Sequence, residues 1–137
     1  MEKQTAHILI VDDFEDNREM YAYFLSEHGF TVTQAADGQE SLDKAESLQP
    51  DLIIMDLSLP GMDGWEAARR LKTGERTRNI PILILTAYDL TSGGPLDCDG
   101  VLTKPCLPDR MIAEITQVLE RHNKSQAASG RGIAEVA

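Results

Sequence analysis

The stretch "HILIVDDF" (residues 7–14) sets an apolar run directly before two adjacent carboxylates, Asp12 and Asp13. A short run without polar alternation reads as a strand covered on both faces, as in a parallel sheet. Two like charges at its end resist both one another and removal from water. The pattern returns at "DLIIM" (51–55), followed by Asp56, and at "IPILILT" (80–86), closed by Thr86. Shorter candidates are "TVTQA" (31–35) and "GVLTK" (100–104), the second ending in Lys104. Pro81 stands at the start of its run, where a missing N–H donor is tolerated.

Helical patterns lie between these runs. Over 16–28, Met20, Tyr21, Phe24 and Leu25 form an apolar stripe read as core, with Gly29 as a stop. Leu42, Ala45 and Leu48 recur before Pro50, and Trp65, Ala68 and Leu71 share one side of 64–72. Over 108–122, Met111, Ile112, Ile115, Val118 and Leu119 make an apolar face behind Pro108. Alternating strands and helices imply right-handed crossovers and a three-layer α/β fold with a parallel sheet. The crossover between Thr86 and Val101 carries Gly93, Gly94 and Pro95, which disfavour a helix interior. A loop or one short turn is expected there, so the fourth helix is short or missing.

The 137 residues suit one domain: an N-terminal extension (1–5), a folded unit (6–122) and a tail (123–137) expected to be disordered. Thirteen basic against twenty-three acidic residues give a net charge of −10, which argues against nonspecific nucleic-acid or anionic-membrane binding. "MEKQTA" lacks the features of a secretion signal, and no apolar run reaches bilayer length, so a cytoplasmic location is expected. Cys98 and Cys106 have no metal-knuckle or CxxC spacing and read as reduced thiols. His7, His28 and His122 share no ligand spacing and read as surface or packing residues.

Ligands of an open parallel sheet bind beyond the carboxyl ends of its strands. That edge would gather Asp12, Asp13, Asp56, Thr86 and Lys104. Three close carboxylates stay charged only beside a cation, and an all-oxygen set suits Mg²⁺. With Lys104 as a second positive charge, the site is suited to a carboxylate attacking phosphorus to give an aspartyl phosphate.

"ILIVDDF", "PDLIIMDLSLPGMDG", "ILILTA" and "LTKP", in this order, resemble the receiver domains of two-component response regulators over about residues 6–122. The resemblance implies a flavodoxin-like five-stranded sheet in the order 2-1-3-4-5, doubly wound by helices. It implies Asp56 as phosphoacceptor and a Mg²⁺ or Mn²⁺ site made by Asp12, Asp13, Asp56 and the backbone carbonyl of Ser58. Thr86 and Lys104 would contact phosphoryl oxygens, and Lys104–Pro105 would be a cis peptide. Gly61 and Gly64 suit unusual backbone angles in the turn after the acceptor.

The function expected is that of a stand-alone, chemotaxis-Y-like phosphoacceptor switch, monomeric or weakly dimeric, and not a turnover enzyme. Its partners would be a sensor histidine kinase or histidine phosphotransfer protein and a downstream protein, with no nucleic acid and no membrane. The alternative is a pseudo-receiver that binds proteins without being phosphorylated. A phosphohydrolase of the haloacid-dehalogenase type needs Asp-x-Asp, whereas Phe14 stands two positions after Asp12. The sequence departs from the family at Val101, where an aromatic ring is usual, and Tyr88 is the candidate gate in its place.

Overall fold

The computed structural model describes residues 6–57, 59, 61–87 and 98–136, with side chains as far as Lys124. The elements are β1 (His7–Val11), α1 (Glu15–Glu27), β2 (Thr31–Ala35), α2 (Gly38–Leu48), β3 (Leu52–Asp56), α3 (Gly64–Thr73), β4 (Ile82–Thr86), β5 (Gly100–Thr103) and α4 (Pro108–Val136). The strands form one parallel sheet in the order β2-β1-β3-β4-β5. The crossover expected to lack a helix, with Tyr88, falls on residues 88–97, outside those described.

Uninterrupted apolar strands follow from cores on both faces of the sheet. Ile8 and Ile10 of β1, Leu52 and Ile54 of β3, and Leu83 and Leu85 of β4 feed one core beneath α1 and α4. Their neighbours Leu9, Val11, Ile53, Met55, Ile82 and Ile84 feed the other, beneath α2 and α3. Because successive side chains alternate between faces, a strand with both faces covered has no position left for a polar residue. In β1, β3 and β4 polarity is therefore confined to the strand ends.

The helices start and stop where local chemistry permits. Asp37 and Asp63 cap α2 and α3 by accepting from the N–H groups of Glu40 and Glu66, both at 2.8 Å. Gly29 follows α1 with φ of +94°, a conformation glycine adopts at little cost. On α1, Tyr21 and Leu25 are buried, whereas Met20 is 52% exposed and not part of the core that the stripe predicts. The helix rests on the side carrying Tyr21, Ala22 and Leu25, which leaves Met20 on its flank. Leu48, at the end of its stripe, is also exposed.

The backbone of 123–136 continues α4, where composition predicts a disordered tail. Ala127, Ala128, Ala134 and Glu135 favour helix against the cost of Gly130 and Gly132, and no proline interrupts them.

Gly64 explains how closely α3 approaches the end of β3. Its N–H donates to the Leu57 carbonyl at 3.2 Å. A Cβ there would meet Leu57 Cα at 2.6 Å and the Asp56 carbonyl oxygen closer still. Gly64 thus answers a need for space, not for the unusual backbone angle read from sequence; Gly61, with φ of +72°, answers the latter. Gly64→Ala is expected to cost on the order of 3 kcal/mol through backbone overpacking. Urea unfolding checks this, and a loss smaller than that of Gly61→Ala would refute it.

Candidate metal and phosphoacceptor site

Four neighbouring strands deliver the site. Asp12 follows β1, Asp56 ends β3, Thr86 ends β4 and Lys104 follows β5, all at the carboxyl edge of the sheet. Asp12, Asp56 and Thr86 are buried, and Asp13 is exposed at the rim. Lys104 Nζ donates to Asp56 Oδ2 at 2.9 Å and lies 4.0 Å from Asp12 Oδ2. Its backbone N–H donates to the Thr86 carbonyl at 2.7 Å, and Lys104–Pro105 is cis.

Asp12, Asp13 and Asp56 each offer a carboxylate oxygen within 4.8 Å of the others. Asp12 Oδ1 accepts from the Phe14 N–H at 2.9 Å, but Oδ2 is buried with no hydrogen-bond partner among the described residues. A buried carboxylate oxygen left in this state is costly. The all-oxygen donor set and this orphaned atom fit a hard divalent cation. The Ser58 carbonyl, the remaining expected ligand, lies outside the described residues.

Charge without metal is unbalanced. Burial, followed by the nearby negative charge of Asp56, pushes Asp12 from 3.8 up to about 6, although the Phe14 N–H and Lys104 pull the other way. Burial alone would lower Lys104, but the hydrogen bond and charge of Asp56 outweigh it and hold the ammonium above its ordinary value.

A raised carboxyl stabilises the fold fully below its unfolded value of 3.8, and that contribution is lost as pH rises through about 6. Metal-free protein is therefore expected to lose on the order of 3 kcal/mol from Asp12 between about pH 4 and pH 7. Mg²⁺ should restore stability at pH 7 more than at pH 5, because the cation competes with the proton. Denaturant melts with and without Mg²⁺ measure both, and Asp12→Asn should flatten the metal-free slope; an unchanged slope would discard the assignment.

Two contributors escaped the sequence reading. Tyr21, read only as core, is raised by burial and then by Cys106, with Asp12, Asp56 and Lys104 also acting on its phenol. Arg18 donates to the Asp12 carbonyl at 2.9 Å. Its signal was its position one turn after Phe14, since helical side chains lean back toward the N-terminus.

Residues 8–116 match the response regulator receiver domain. The chain belongs to that family. This receiver domain is 39% identical over 118 residues to the alkaline phosphatase synthesis transcriptional regulatory protein PhoP of Bacillus subtilis, covering 83% of this chain and 48% of PhoP. It is 38% identical to the DNA-binding dual master transcriptional regulator RpaA of Synechocystis, covering 89% of this chain and 52% of RpaA. The chain thus spans about half the length of these relatives. Among solved structures, chemotaxis response regulator CheY4 of Vibrio cholerae superposes with a TM-score of 0.78 at 32% identity, over 84% of this chain and 99% of CheY4. Among the described residues, no helix of the receiver domain is long and apolar enough to cross a membrane.

Proposed function

We propose that this receiver domain is a divalent-cation-dependent phosphoacceptor switch that takes a phosphoryl group from a phosphohistidine of a sensor kinase or phosphotransfer protein onto Asp56. The observation that carries the reading is the orphaned Asp12 Oδ2 inside a three-carboxylate cluster faced by Lys104. A carboxylate oxygen of Asp56 attacks phosphorus, the N–P bond breaks, an O–P bond forms, and the imidazole leaves with the electron pair and takes a proton from solvent. Asp12, Asp13 and Asp56 would hold the cation, with Ser58 as a further carbonyl ligand. When bound, it supplies positive charge to offset the phosphoryl oxygens.

Lys104 begins on Asp56 and is placed to follow the charge onto a phosphoryl oxygen, and Thr86 ends the adjacent strand as a hydroxyl donor. The domain modifies only itself, so it is a switch and not a turnover enzyme. The domain matches CheY4 over 99% of that chain, and its output would be protein contact or onward transfer. The net charge of −10 favours protein partners over direct nucleic-acid contact.

The test is intact mass after incubation with a small phosphoramidate or acyl phosphate, with Mg²⁺ and with a chelator. A single phosphoryl adduct that needs Mg²⁺ and maps to the Asp56 peptide is expected. Absence of any adduct in a folded, Mg²⁺-binding protein would instead favour the non-phosphorylated scaffold.

A further inference from the structure

Asp12 and Asp13 stand on a turn whose backbone is held from two sides. The Asp12 N–H donates to the Ala35 carbonyl of β2 at 3.1 Å, and its own carbonyl accepts from Arg18 Nη1 at 2.9 Å. Arg18 Nε reaches in another direction, to Gln34 Oε1 at 2.9 Å. The backbone of Gln34 is held in turn: its main-chain carbonyl accepts from Lys44 Nζ at 2.6 Å, and Lys44 pairs with Glu40 at 2.8 Å. Glu40 accepts in turn from the Ala36 N–H at 2.8 Å, beside the cap of α2. Arg18 and Gln34 are both half-buried, which shields these bonds from competing water.

We propose that Arg18 is a positioning residue for the divalent-cation site, orienting the Asp12–Asp13 peptide through the Asp12 carbonyl while Gln34 fixes the guanidinium. This inference rests on the acidic cluster being the cation site. Asp13 is exposed and must still turn its carboxylate toward two buried ones that repel it. A fixed peptide plane lowers the freedom that would otherwise be lost when the three oxygens converge. Arginine suits the task because its planar fork donates in two set directions, which a lysine ammonium on a flexible stem does not reproduce. By bonding a carbonyl, Arg18 orders the turn without occupying Asp12 Oδ2, the oxygen left for the cation. Outer partners of this kind govern ligand direction more than total charge.

The test is Mg²⁺ titration of the unphosphorylated full chain by calorimetry, alongside thermal melts with and without Mg²⁺. Arg18→Ala should weaken Mg²⁺ binding by about tenfold, within the range for outer-shell partners. Gln34→Ala should weaken it less, in the same direction, and Arg18→Lys should recover little. A purely structural role would lower both melting temperatures equally; a positioning role shrinks the increment Mg²⁺ adds. If Arg18→Ala does not fold, Gln34→Ala carries the comparison. Wild-type affinity and increment in the folded variants would overturn the role of Arg18 alone. A wild type that fails to bind Mg²⁺ would overturn the cation site and this inference together.

Discussion

Asp56→Asn is expected to abolish the phosphoryl adduct outright while leaving a folded domain. The amide matches the carboxylate in shape but is no nucleophile toward phosphorus, so no slower version of the same attack survives. Three further effects follow from the contacts of Asp56. Lys104 loses its 2.9 Å carboxylate partner, and its ammonium should relax toward its ordinary value. Asp12 loses a neighbouring negative charge and should titrate below about 6. Removing one of three anionic ligands should weaken Mg²⁺ by about tenfold or more. Adduct mass, NMR titration of Asp12 and Mg²⁺ calorimetry read these separately. An adduct of equal yield on the variant would remove Asp56 as acceptor.

Lys104→Met should be nearly as severe, for a different reason. The substitution keeps length and apolar stem but deletes the charge, leaving Asp12 and Asp56 buried together with no ammonium. Loss of a preorganised donor to developing charge costs about 10²–10³ in rate. Breaking one side of a buried ion pair should also destabilise metal-free protein by on the order of 3 kcal/mol at neutral pH. Mg²⁺ should return much of that stability but little of the rate, since a cation among the aspartates does not replace the ammonium on the β5 side. Single-turnover phosphorylation and denaturant melts separate the two. A rate close to wild type would show that Lys104 serves folding and not transfer.

The layered fold was legible because its cause is local: a strand buried on both faces has to be apolar throughout, as in Ile8–Val11 and Leu52–Met55. The carboxylates were legible by contrast with those runs. Packing direction was harder to read. Met20 satisfies helical spacing as well as Tyr21 does, and only the angle at which α1 meets the sheet leaves one exposed and the other buried. Gly64 was visible as a glycine but not as a close approach, because the atoms it would strike belong to the preceding strand end. Arg18 was hidden for a related reason: its partners, a backbone carbonyl and a half-buried glutamine, leave no charge pattern in a sequence.

The route taken by Lys104 fixes one more property. Thr103 lies opposite Thr86 and Asp56 opposite Leu85, so the lysine starts from the outer strand and must cross the end of β4 to reach β3. Two strand spacings make that gap about 10 Å wide. The four-carbon stem is therefore a ruler matched to the sheet. A shorter amine at this position would carry the same charge and stop above the wrong strand, so length, as much as charge, is what the position requires.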